Sequence, residues 1–162
     1  MSAGVGLLSR RVKRTEEKNE MKDFDTLKTM ANNKSSWRER IEAIEGLKEY
    51  DTQQAKDVIM RLAINDPVFK VKEAAFRLAQ SRGYQSKGKP VFLGKKSRGN
   101  LVKGIDKILA NVQKELPEEY SLEDFKKMFQ KKYPVEYDLY DGDKEERFDK
   151  WLENIIKSLP KK

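Results

Sequence analysis

An all-α fold is predicted by three features of the 162-residue sequence. Apolar residues recur three and four positions apart along most of the chain. Serine, threonine and aspartate stand where those runs begin. No alternating apolar and polar stretch is long enough to demand a sheet, and residues 91–93 and 135–139 are the only candidates for short extended pieces.

The helices follow in order. Met21, Phe24, Leu27 and Met30 form one stripe, and Trp37, Ile41, Ile44 and Leu47 form the next, with Ser35 or Ser36 as its N-cap. Asp51 or Thr52 opens a third helix, which buries Ala55, Val58, Ile59 and Leu62. A fourth is expected to start with Asp66 as N-cap and Pro67 at the first helical position, where its missing N–H costs nothing. Val71, Ala74, Ala75 and Leu78 form its apolar face, and Gly83 stops it.

These four helices read as two copies of one hairpin. A shift of 31 residues lays Glu42 and Ala43 on Glu73 and Ala74, and Leu47 on Leu78. Arg40 and Ile41 do not match Val71 and Lys72, so the first copy is degenerate. A period of this length with two helices per unit predicts a short α-solenoid. The segment "DPVFKVKEAAFRLA" resembles the second helix of a HEAT or HEAT-like repeat, with Asp66, Pro67, Val71, Lys72, Ala74, Ala75 and Leu78 in the places of that motif. The resemblance covers residues 20–84. It implies a scaffold whose stacked helices meet a partner, and it implies no particular chemistry.

The last third, residues 101–162, is expected to be a three-helix bundle. Leu101, Ile105, Ile108, Leu109 and Val112 share one face, and Pro117 ends that helix. Ser121 caps the next, with Asp124 at the capping-box position and Leu122, Phe125, Met128 and Phe129 buried. The stretch "PVEYDLYDGD" is expected to be a loop or a broken helix around Pro134 and Gly142. Phe148, Trp151, Leu152, Ile155 and Leu159 then form the closing helix, and Phe125, Phe129, Tyr133, Phe148 and Trp151 supply the core.

Composition bounds the chemistry. Charged residues make up 38% and apolar residues 37%, with 15 aromatic side chains, which fits a folded body with solvated helix faces. The absence of cysteine and histidine removes disulfides, thiolate and imidazole metal sites, cysteine nucleophiles and histidine bases. No apolar run approaches the length of a membrane span, and a cytoplasmic protein with no cofactor, no metal and no membrane partner is expected. Residues 1–19, with their basic run "RRVKR", are expected to be a flexible or frayed helical start.

The charge is unevenly placed. Residues 1–73 hold 15 basic and 13 acidic side chains, and residues 106–162 hold 12 and 14. Between them Arg77, Arg82, Lys87, Lys89, Lys95, Lys96, Arg98 and Lys103 meet no acid, so this window accounts for the net charge of +8. Residues 85–100, "QSKGKPVFLGKKSRGN", are expected to be a basic glycine-rich linker. Two readings of this window stand side by side. It is a soluble tether, or it is a surface on which Arg77, Arg82, Lys87, Lys89, Lys95, Lys96, Arg98 and Lys103 hold phosphates while Phe92 stacks on a base.

Other motifs point to less. Asp138, Asp141 and Asp143 miss the alternate-position spacing of an EF-hand loop, so a polar turn before the last helix is the better expectation. The last two helices are joined by too long a connection for a helix-turn-helix. HEAT-like DNA glycosylases need no histidine, but no residue here matches their sites, and no catalytic residue is assigned. The expected function is a non-catalytic adaptor that binds an unidentified protein. The alternative is a nucleic-acid-binding accessory protein.

Overall fold

The structure, a computed structural model, describes residues 22–96 and 101–161. The stretch expected to be a frayed start, and Arg98 of the basic window, lie outside the described residues. What is described is mostly helical, with one two-stranded hairpin.

Among the described residues four helices form the first half: α1 (Phe24–Ala31), α2 (Trp37–Leu47), α3 (Gln53–Asn65) and α4 (Phe69–Ser81). Local chemistry sets their starts. The Asp23, Ser36 and Thr52 side chains accept from the backbone N–H three residues on, which satisfies one of the donors a helix start leaves open. Consecutive helices pack in pairs, α1 on α2 and α3 on α4. Leu27, Ile44, Leu47, Ile59, Leu62, Val68 and Val71 form one buried core between the pairs.

The start of α4 differs from expectation. The helix begins at Phe69, and Asp66 does not cap it. Its Oδ1 instead accepts from the Val68 N–H at 2.9 Å, an Asx turn that carries Pro67, while both oxygens face Arg40. A buried guanidinium outcompetes a helix start for this carboxylate, because an unpaired buried charge costs more than an uncapped N–H.

Gly46 lets α1 and α2 approach. A methyl group there would lie 2.5 Å from Leu27 Cδ2, and Leu27 is fully buried. Alanine favours a helix interior by about 1 kcal/mol over glycine. Overpacking costs about 1–3 kcal/mol, so Gly46→Ala is expected to lower the urea unfolding midpoint, not to raise it.

The second half holds four helices, not three: α5 (Ile105–Lys114), α6 (Leu122–Lys132), α7 (Pro134–Lys144) and α8 (Phe148–Ser158), with a 3-10 turn at Glu145–Arg147. The extra helix is the stretch expected to be broken. Pro134 sits in its first turn, where proline is tolerated, and Gly142 lies within it. Residues 135–139, a candidate extended piece, belong to this helix. The capping box of Ser121 and Asp124 at α6 is present as expected. Phe125, Phe129 and Phe148 are buried and Tyr133 and Trp151 half-buried, around the fully buried Tyr140, which the three-helix reading did not include.

The phenol of Tyr140 accepts from the backbone N–H groups of Leu101 and Val102, at 3.0 and 3.1 Å, and its ring stacks on Trp151 with centroids 4.5 Å apart. Tyr140→Phe keeps the ring and strands both donors. The expected cost is about 1–3 kcal/mol, read by denaturant unfolding.

Helix α7 joins the halves. Leu139 packs on the first core while Tyr137 and Tyr140 belong to the second, and the helix lies against both α2 and α4. The two bodies therefore meet along a built seam.

Candidate functional site

The seam has charge complementarity. Asp138, Asp141 and Glu145 recur at helical spacing along α7 and at its end, and they face the first turns of α2 and α4, where backbone N–H groups and the helix dipole favour anions. Asp138 Oδ1 accepts from the Trp37 N–H at 2.8 Å, and its Oδ2 accepts from Arg40 Nη1 at 3.2 Å. Arg40 also donates to Asp66 through Nε at 2.8 Å and Nη2 at 3.2 Å, and to the Asn33 carbonyl at 2.8 Å. The side chains of Arg40, Asp66 and Asp138 are 3%, 3% and 7% exposed, so this group lies in the interior.

Around it the contacts become more exposed. Asp141 accepts from Trp37 Nε1 at 3.1 Å and from Arg38 at 2.7 Å, Lys70 reaches Glu145 at 2.7 Å, and Lys96 reaches Asp143. Burial holds the Asp138 carboxyl above the usual carboxylate range, against the Trp37 N–H and Arg40, which pull it down. The glutamate carboxylate of Glu145 raises the Lys70 ammonium. Asp138, Asp141 and Asp143 thus engage different cations and donors across the seam, which is why they do not form the polar turn expected before the last helix. Among the described residues no group of acidic side chains is arranged to hold a metal ion.

An open pocket of about 320 Å³ lies beside the network, lined by Leu62, Val68, Val135 and Leu139 together with Lys34 and Arg61. Arg61 is engaged there with the Asn32 side chain at 2.7 Å.

The basic window lies at the edge of this seam. Helix α4 ends at Ser81 and is closed by Gly83 just past its cap, whose φ of 67° lets Tyr84 N–H reach the Ala79 carbonyl and Gly83 N–H reach Gln80, a Schellman closure. The chain then turns back on itself as β1 (Gln85–Ser86) and β2 (Lys89–Pro90), paired antiparallel with Ser86 opposite Lys89. Lys87 and Gly88 between them both have positive φ, 53° and 78°, as a two-residue hairpin turn of the right twist requires. Asparagine or glycine is the low-strain choice at the first of these positions, and a lysine stands there.

After the hairpin, residues 91–96 run outside any regular element. Val91 packs on the first core, Leu93 and Gly94 are half-buried, and Lys96 donates to the Asp143 carbonyl at 3.0 Å. Phe92 points out. It is 84% exposed, the most exposed large apolar side chain among the described residues. The stretch is thus anchored to one body at Val91 and to the other at Lys96.

The structure separates the nine predicted residues. Lys87, Lys89, Phe92 and Lys95 are exposed within nine consecutive residues. Lys96 is partly engaged with Asp143. Arg82 is inward, its guanidinium donating to the carbonyls of Tyr50 and Lys48 at 2.7 and 2.8 Å, where it neutralises the C-terminal end of α2. Arg77 pairs with Glu73 one turn earlier on α4. Lys103 is exposed in the turn that leads into α5, and Arg98 lies outside the described residues.

Sequence reasoning missed Trp37, Arg38, Arg40, Asp66 and Asp138 as a set. The spacing of Asp138, Asp141 and Glu145 held a signal, since those residues share a stripe once Pro134 is placed at a helix start. No helix among the described residues is long and apolar enough to cross a membrane. No protein-family model matches the chain, and comparison with curated proteins and with solved structures finds no significant match.

Proposed function

We propose that the chain is a non-catalytic interaction module that meets another macromolecule through residues 87–95. One observation carries this reading: a large aromatic side chain, 84% exposed, stands among exposed lysines on an irregular segment that contacts both halves, through Val91 and Lys96. A single exposed apolar side chain is ordinary on a protein surface. What supports the reading is the combination, an exposed ring set among exposed lysines, which is the pairing that holds an anionic polymer with stackable faces. Holding the segment at Val91 and Lys96 removes part of the ordering cost that a free tether would incur on binding. The pairwise packing of α1 to α4 supports the HEAT-like scaffold reading, with the seam serving to present residues 87–95.

The test places the photocrosslinking residue p-benzoylphenylalanine at Phe92, or at the exposed Asn154 on α8 as a control, in the native cell. Adducts are expected from position 92 and not from 154, and they should disappear when Lys87, Lys89 and Lys95 are replaced by alanine in the same chain. Equal yields at both positions would overturn the reading. So would a turnover activity that a single carboxylate substitution abolishes.

A further inference from the structure

We infer that the partner of residues 87–95 is a single-stranded nucleic acid, whose phosphates lie on Lys87, Lys89 and Lys95 and one of whose bases stacks on Phe92. The inference rests on the interaction reading above and names the chemistry of its partner.

Three observations carry it. First, the three lysines and the aromatic ring are exposed, and among the described residues no acid forms an ion pair with Lys87, Lys89 or Lys95, in contrast to Arg77 and Lys96 of the same window. A surface made for an acidic protein could use the same lysines, but the exposed ring would then need an apolar socket in that protein. A base offers its π face to any exposed aromatic side chain, and such stacking is a recurrent device of single-strand binders.

Second, the spacing fits a chain more than a point charge. Lys95 follows Lys89 by six positions, at most about 20 Å of extended backbone. The ring of Phe92 stands midway. A series of cations with a ring between them follows a phosphodiester backbone while one base turns inward, whereas a lone phosphate would need converging donors.

Third, the ring sets a condition on the strand. In a duplex both faces of each base are covered by neighbours, so Phe92 could stack only by prying a step apart, at a cost of a few kcal/mol. An unpaired strand offers the face at far lower cost. The lysine at the left-handed turn position points the same way, since it puts a cation at the hairpin tip where a smaller residue would strain the backbone less.

Fluorescence anisotropy of labelled oligothymidylate and oligouridylate of about twelve nucleotides, with a duplex of similar length and polyglutamate as comparisons, tests this on the full chain. The single strands are expected to bind at low salt and more tightly than the duplex, and the two oligonucleotides separate DNA from RNA as the source. Phe92→Ala should weaken single-strand binding about five- to 150-fold while leaving the salt slope unchanged. Replacing Lys87, Lys89 and Lys95 together by alanine should flatten the slope of log K against log salt by about 2, at about 0.7 per phosphate on a single strand. All four residues are exposed, so the helical circular dichroism should not change in either variant.

Duplex binding equal to or tighter than single-strand binding would overturn the inference, as would indifference to Phe92→Ala. Polyglutamate bound as tightly as the oligonucleotides would also overturn it, and would leave an acidic protein as the partner of the same surface. No binding to any of these polymers would reject the nucleic acid, and crosslinking at position 92 would still decide the interaction reading.

Discussion

Replacing Arg40 by alanine is expected to lower the free energy of unfolding at neutral pH by about 3–5 kcal/mol, the usual consequence of removing one partner from a buried ion group. Arg40 is the cation between two buried carboxylates, bidentate to Asp66 and singly bonded to Asp138. Without it both acids remain in the interior facing each other's charge. The Asn33 carbonyl loses its donor as well.

The pH dependence separates this from simple loss of packing. In the native protein burial already holds the Asp138 carboxyl above its ordinary value of 3.8, so the folded state takes up its proton more readily than the unfolded chain does. A group raised in this way contributes most to stability at low pH, and that contribution falls as the pH rises through its folded value. Removing Arg40 takes away one of the two partners that pull the value down, so the window widens upward. The deficit of Arg40→Ala should therefore shrink on acidification. Adding Asp138→Asn to Arg40→Ala should restore stability at neutral pH, because it removes a buried charge and can still leave an acceptor for the Trp37 N–H. A deficit that is constant with pH, or a double variant less stable than the single one, would contradict the electrostatic account.

What was legible in the sequence was local. Ser36, Thr52 and Ser121 cap helices because a hydroxyl three residues before an N–H is enough, and Gly83 closes α4 because only its own φ is at issue. The all-α class follows from the apolar spacing of the same segments. The seam was not legible, since Arg40 and Asp138 meet across 98 residues and no local rule connects them. Pro134 and Gly142 read as breakers because their usual meaning is to end a helix. Here proline opens one, and glycine within it allows the close approach of another body.

The basic window shows the same division. That it lacks acids is visible at once, but which of its cations are free depends on remote partners. Arg82 is taken by the carbonyls that end α2, and Lys96 reaches Asp143. Phe92 is exposed between Val91, which packs on the first core, and the half-buried Leu93, a placement set by tertiary contacts rather than by any regular element.

Trp37→Ala is expected to cost about 3–5 kcal/mol as a large buried truncation, and its interaction with a second site shows whether the seam acts as one unit. Trp37 is 7% exposed, and its indole N–H donates to Asp141 while its ring lies beside Gly142. A methyl group at Gly142 would come within 2.7 Å of Val68 Cγ1 and 3.0 Å of the indole ring, so Gly142→Ala alone should destabilise by overpacking, about 1–3 kcal/mol before the gain in helix propensity. In the Trp37→Ala chain the indole is gone and two of the three tightest contacts of that methyl group go with it, leaving the one to Val68. The double variant should then be more stable than the sum of the single effects predicts, by about 0.5–3 kcal/mol, the range for residues in contact. Strict additivity in urea unfolding would mean that α7 does not dock on Trp37 as closely as the contact requires. It would also undercut the role of the seam in presenting residues 87–95, because Lys96 pairs with Asp143 on that same helix.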